Sequence, residues 1–149
     1  DAIEEFEQAM RYQSRYAEAC YNRGVVFFRQ GDRAAALASY RQAIEWDPDL
    51  VMALNGLAWI IATDTKSIHN SIQEAVAASQ HAVELTRSEQ PICLTTLATV
   101  YAADGQFELA TNTAEQALQI ARQMQAVELT RQLESHLDLY KRGIRVTEP

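Results

Sequence analysis

Small residues at fixed spacing constrain this chain more than anything else in it. In the stretch Ala17–Pro48, Phe27 follows Gly24 by three residues, Tyr40 follows Ala36 by four, Ala43 comes next, and Pro48 closes the run. Small residues at helical offsets, each partnered by an aromatic or a long aliphatic, let two helices approach closely as an antiparallel pair. The pattern recurs. Ala2, Phe6 and Ala9 precede Ala36, Tyr40 and Ala43 by 34 residues, and Leu54, Leu57, Ala58 and Ile61 follow Cys20, Arg23, Gly24 and Phe27 by the same interval. A period of that length reads as a helix–turn–helix unit repeated along the chain.

The composition agrees. Of 149 residues only three are proline and five glycine, and 48% are apolar, enough to bury a core, while few breakers and many Ala, Gln, Glu, Arg and Leu favour an all-helical chain. A net charge of −7 disfavours nucleic acid and anionic membrane faces, which need clustered lysine and arginine. No apolar run approaches the roughly 20 residues of a membrane span. The opening DAIEEFEQ resembles neither a signal peptide nor a basic transit segment; the compartment is left unassigned, with the cytoplasm favoured. Cys20 and Cys93 fall on first helices of different repeats and are expected to be buried, unbridged thiols.

Taken in order, residues 1–15 read as the second helix of a truncated repeat, with Ile3, Phe6 and Met10 on one face, so the chain is expected to be a piece of a longer protein. A complete repeat spans residues 16–49, its turn at Gln30-Gly31-Asp32 and its close at Asp47-Pro48. The next, 50–87, breaks register: Ala36 and Ala43 recur at Ala75 and Ala82, 39 residues on. Five residues are therefore inserted within Asp64–Ser71 (DTKSIHNS), a polar surface loop whose Thr, Ser or Asn can cap the helix that follows. A third repeat, 88–122, starts at Pro91 and turns at Asp104-Gly105-Gln106. Residues 123–143 form a terminal helix with Leu129, Leu133, Leu137 and Tyr140 on one face and a polar back, which suits the end of a stack. Gly143 stops it, and the final Thr-Glu-Pro is expected to fray.

These residues resemble the tetratricopeptide repeat, over residues 1 to about 122, most strongly in the first complete repeat. The resemblance implies an all-α fold, a right-handed α-α superhelix or solenoid with a C-terminal capping helix, in which Gly24, Ala58, Ala98, Ala36, Ala75 and Ala110 are buried where paired helices touch. The departures are Cys20, Leu54 and Leu94 where a large aromatic is usual, and Arg23 where leucine is usual. The strings LNGLAWIIAT, EAVAASQHAVELT and LATVYAADGQFELA also resemble the C-terminal repeat block of large bacterial multidomain proteins, which implies a bacterial source. Pentatricopeptide repeats have nearly this period but bind RNA through a basic groove, which an acidic chain does not supply. Sel1-type repeats have longer, more variable periods.

Catalysis and cofactors are not expected. His69, His81 and His136 have no helical partner at ligand spacing, and read as exposed or loop histidines. No nucleophile elbow or phosphate cradle is present. Glu4, Glu5 and Glu7 read as a solvated face, and Trp46 as core between repeats. The family resemblance instead implies a groove lined by first helices. Its positions here are Glu18, Tyr21, Asn22, Val25, Phe28 and Arg29, then Met52, Asn55 and Trp59, then Ile92, Thr95, Thr96 and Thr99. Chaperone-binding members clamp a C-terminal carboxylate with Lys, Arg and Asn. Only Asn22 echoes that set, so a chaperone-tail ligand is not expected. Tyr21, Phe28 and Trp59 suit an apolar or aromatic anchor, or else pack against their own neighbours.

The function expected is a non-catalytic protein-interaction scaffold for a peptide or helix. The alternatives are a regulatory or localising segment of a larger enzyme, and self-assembly, including a homodimer through the N-terminal end.

Overall fold

The computed structural model describes residues 2–65 and 71–148, with Ala2 and Phe6 described by their backbone alone. Among these residues there are seven helices and no strand: α1 (Ala2–Arg29), α2 (Arg33–Trp46), α3 (Val51–Thr63), α4 (Ile72–Leu85), α5 (Pro91–Ala103), α6 (Phe107–Gln123) and α7 (Val127–Lys141). The chain divides into two compact units, Asp1–Leu57 and Ala58–Pro149, with α3 shared between them.

In the first unit α1 packs on α2. Ala17, Cys20 and Gly24, spaced for one helical face, are buried, as are Ala36, Tyr40 and Ala43 of α2. The ring of Tyr40 fills the space left by two glycines. A Cβ on Gly24 would lie 2.5 Å from it, and one on Gly56 2.9 Å. Cys20, Ala43 and Ala53 continue this core, with Tyr21, Ile44 and Leu50 packed around them. Arg23, where the resemblance called for leucine, lies on the surface and ties α1 to α2 by donating to Ser39 Oγ (3.1 Å) and Gln42 Oε1 (2.5 Å).

Two expectations for this unit are corrected. Residues 1–15 do not form a helix separate from the repeat that follows, because α1 runs unbroken from Ala2 to Arg29. Nothing between them breaks a helix: the segment RYQSRY holds no glycine or proline. Trp46 is not core. It remains 44% exposed at the end of α2, edge-on to Tyr16 with ring centroids 4.9 Å apart.

The α1–α2 turn follows from Gly31 at φ +79°, where the amide of Asp32 reaches back to the Phe27 carbonyl at 2.9 Å. Asp32 then caps α2, its carboxylate accepting from the Ala35 amide at 2.9 Å. Pro48 ends α2 by forcing Asp47 into an extended conformation, φ −138° and ψ 95°.

In the second unit α5 packs on α4, α6 and α7, and α6 on α7. The core is Leu94, Ala98 and Ala102 of α5, Ala110, Ala114, Ala117, Leu118 and Ala121 of α6, and Leu133, Leu137 and Tyr140 of α7. Ala58, Ala75 and Ala98 are fully buried here, as Ala36 is in the first unit. Cys93 and, in the first unit, Cys20 are buried free thiols. The turn into α6 at Gly105 repeats the geometry of Gly31. Pro91 begins α5. Ser71 precedes α4 without capping it through its side chain. The centre of the expected polar loop, residues 66–70 with His69 among them, lies outside the described residues.

Candidate functional site

In the first unit the proposed groove positions fall into two stripes on α1. Tyr21, Val25 and Phe28, at i, i+4 and i+7, are half-buried, and Glu18, Asn22 and Arg29 beside them are exposed. Tyr21 stacks on Tyr40 (centroids 5.7 Å, 26° between planes), and the Arg33 guanidinium lies 5.8 Å from the centre of the Phe28 ring. Burial raises the Tyr40 phenol above its ordinary value, with Tyr21 adding to the effect. On α3, Met52 is 51% exposed. Asn55 is half-buried, and its Oδ1 has no hydrogen-bond partner among the described residues although it is shielded from water. A buried carbonyl oxygen of that kind is an acceptor in want of a donor.

The second unit places its proposed positions differently. Ile92 is 56% exposed, but Thr95, Thr96 and Thr99 are all buried. Each hydroxyl turns back to the carbonyl one helical turn earlier: Thr95 to Pro91 (2.7 Å), Thr96 to Ile92 (3.2 Å), Thr99 to Thr95 (2.9 Å). Thr99 also lies 3.0 Å from the Tyr140 phenol. Its own proton is used on Thr95, so Tyr140 is the donor. The hydroxyls of Thr95 and Thr99, two of the positions expected to line the groove, are therefore committed inside the unit.

Trp59 is the residue around which the rest gathers. It stacks on His136 of α7 (centroids 6.4 Å, 23°), and His136 leans against Tyr140 (6.0 Å, 52°). The indole Nε1 donates to Glu148 Oε2 at 3.1 Å. The Glu148 amide donates to the Thr63 carbonyl at 3.0 Å, and Arg145 reaches the Asp64 carbonyl at 3.5 Å. Of the final Thr-Glu-Pro expected to fray, Glu148 is instead docked on α3. Expected to be exposed, His136 is instead 8% exposed, and its Nδ1 has no hydrogen-bond partner among the described residues. Burial lowers its pKa below the ordinary value, while Glu148 pulls the other way. Burial also pushes the Tyr140 phenol up to about 12.

His136 and Glu148 are the residues that sequence reasoning missed. The first had a signal: it follows Leu133 by three and precedes Tyr140 by four, on the apolar face of α7. The second had none, since nothing local in Arg-Val-Thr-Glu marks a docking contact. Among the described residues, no three or more His, Cys, Asp or Glu side chains converge as metal ligands. None of the described helices is long and apolar enough to cross a membrane.

Antiparallel helix pairs with alanine and glycine at their contacts define an all-α tandem-repeat protein. The chain carries a tetratricopeptide repeat, matching that family's model over residues 17–50, and its fold is the tetratricopeptide-repeat solenoid. Among solved structures it is similar to the TPR2B domain of yeast Sti1 in complex with an Hsp70 peptide, with a TM-score of 0.72 and 19% identity, covering 85% of this chain and 97% of that one. It is also similar to the first TPR of Spaghetti (RPAP3) bound to the HSP90 peptide SRMEEVD (TM-score 0.63, 19% identity, 84% and 95% covered). The first TPR domain of human RPAP3 gives a TM-score of 0.64 at 18% identity, with 87% and 98% covered. No curated protein matches the sequence.

Proposed function

We propose that the chain is a non-catalytic interaction scaffold that holds a peptide or helix of another protein against α1, the first helix of its complete repeat. The observation that carries this reading is the Tyr21–Val25–Phe28 stripe. Three large apolar side chains remain half-buried on one helix face, and exposed Glu18, Asn22 and Arg29 flank them. That arrangement, an apolar anchor site with a polar rim, is what peptide recognition uses. Two similar folds carry Hsp70 or Hsp90 peptides, which supports peptide binding as a use of this architecture. The stripe itself carries no cation, and its three side chains anchor the ligand by apolar contact.

The test is selection of binding peptides from a displayed random library, followed by affinity measurements on Tyr21→Ala and Phe28→Ala proteins that retain wild-type circular dichroism. Each variant should lose at least about 2 kcal/mol if its ring is a hot spot. Peptides that bind both variants as well as the wild type would sink the reading.

Self-association is a second reading, supported by α1 alone. Ile3 is 66%, Met10 48% and Tyr12 71% exposed along its first half. Apolar side chains left open on a helix favour pairing with a second copy. Sedimentation velocity across a hundredfold concentration range, repeated with Ile3→Glu and Met10→Glu, decides it: a monomer throughout refutes the pairing.

A further inference from the structure

Helix α3 has no glycine cap of its own. The last carbonyls of any helix lack intrahelical donors, and here Thr63 and Asp64 receive theirs from the far end of the second unit. After α7, Gly143 at φ +68° reverses the chain, with the Ile144 amide bonded to the Leu139 carbonyl at 2.9 Å. Residues 144–148 then have no regular secondary structure and lie along α3. Arg145 brings its cation to the negative end of the helix, at the Asp64 carbonyl. Glu148 donates its amide to Thr63 and accepts the Trp59 indole proton on its carboxylate.

The two sides of this contact are built unequally. Trp59, His136, Tyr140 and Thr99 hold one another through ring contacts and a hydrogen bond that do not involve residues 144–148. The segment itself is held lightly. Val146 is only half-buried against the core, Ile144 is 41% exposed and Thr147 is exposed. A surface organised in advance, under a segment whose apolar side chains are left half-buried or exposed, describes a binding site with an occupant more than it describes a core.

We propose that residues 144–148 are the exchangeable resident of a peptide-binding surface made by Trp59 and Thr63 of α3, Asp64 just beyond that helix, and His136 of α7. The incoming ligand is a non-helical segment of a partner protein with a basic residue and, three positions later, a carboxylate. The basic side chain takes the carbonyl end of α3, the backbone amide of the acidic residue takes Thr63, and its carboxylate takes the Trp59 indole. This rests on the peptide-binding reading above but uses different residues, so Tyr21 and Phe28 variants leave it untouched. Because the resident is tethered, it competes at an effective concentration on the order of millimolar, and a partner must exceed that to enter.

The experiment uses a synthetic peptide Ile-Arg-Val-Thr-Glu followed by the Trp59 indole N–H resonance in the full chain. Titrations compare the wild type with an Arg145→Ala/Glu148→Ala double variant, and with a peptide whose glutamate is replaced by glutamine. The double variant should bind the peptide at least tenfold more tightly than the wild type, and the glutamine peptide should bind it more weakly. Equal binding by variant and wild type, or none by either, overturns the proposal. Hydrogen exchange on the wild type gives an independent reading. The Glu148 amide should exchange at least a hundredfold faster than the amides of Leu133 and Thr99. Equal protection, or a double variant that loses its helical structure, would make residues 144–148 a fixed cap of α3 and end the idea. Failure here with Tyr21-dependent peptides still bound leaves the scaffold reading intact.

Discussion

The ring of Tyr40 and the backbone of Gly24 share a space that admits no side chain between them: a Cβ at Gly24 would meet Tyr40 Cε1 at 2.5 Å. In an exposed helix, glycine to alanine is stabilising by up to about 1 kcal/mol. At Gly24 the clash reverses the sign. Gly24→Ala should cost about 1–3 kcal/mol in urea unfolding, as overpacking does. In a Tyr40→Leu background the cost should shrink, because the ring that clashes is gone. An undiminished cost there would show that the penalty lies elsewhere in α1.

The helix pairing was legible in the sequence because close approach leaves a chemical trace: only small residues fit, and they recur at the repeat period. Gly24, Ala36, Ala58, Ala75, Ala98 and Ala110 are all buried for this reason. Trp46 was misplaced because a large aromatic at the end of α2 was taken for core by its type, and His136 because its place on the apolar face of α7 was not weighed. The docking of Glu148 onto Trp59 joins residues distant in sequence through a hydrogen bond and a helix end, neither of which has a periodic signature. Thr95 and Thr99 were assigned to a groove by analogy with the repeat. A threonine on a first helix carries no mark of whether its hydroxyl faces a ligand or its own backbone.

The α6–α7 turn offers a gain in stability. Gln125 stands at φ +57°, and the Ala126 amide reaches the Ala121 carbonyl at 2.9 Å, the geometry that Gly31 serves after α1. A side chain in that left-handed conformation costs about 1–2 kcal/mol, part of which glycine returns through its greater freedom when unfolded. Gln125→Gly should therefore stabilise the protein by about 0.5–1 kcal/mol, read as a higher urea midpoint at unchanged slope. A lower midpoint would show that the Gln125 side chain contributes more than its backbone strain costs.

Tyr140 gives a signature at high pH. Its phenol is buried and pushed up to about 12, against about 10 in the unfolded chain. The protonated phenol is favoured in the folded state, so this stability is fully present below pH 10 and is lost as pH rises from 10 through 12. Tyr140→Phe should flatten that part of the stability curve. At neutral pH the same change should cost about 1 kcal/mol for the lost bond to Thr99. A Phe variant with the wild-type alkaline slope would show that another group is responsible.

His136 acts at the opposite end of the scale. Its imidazole is packed between Trp59 and Tyr140, and burial is the larger influence on it, lowering its pKa from 6.5 despite the Glu148 carboxylate nearby. The unfolded chain thus binds a proton at a pH where the folded one does not. Stability from this group is fully present above about pH 6.5 and is lost as pH falls through the lowered folded value. Wild-type urea midpoints should fall as pH drops from 7 toward 5, and His136→Gln, which cannot take up a proton, should fall less. A direct check is the His136 Cε1–H chemical shift, which should titrate with a midpoint below 6.5. If His136 instead titrates above 6.5, the Glu148 carboxylate outweighs burial, the sign of the pH effect reverses, and acid would tighten the contact between residues 144–148 and α7.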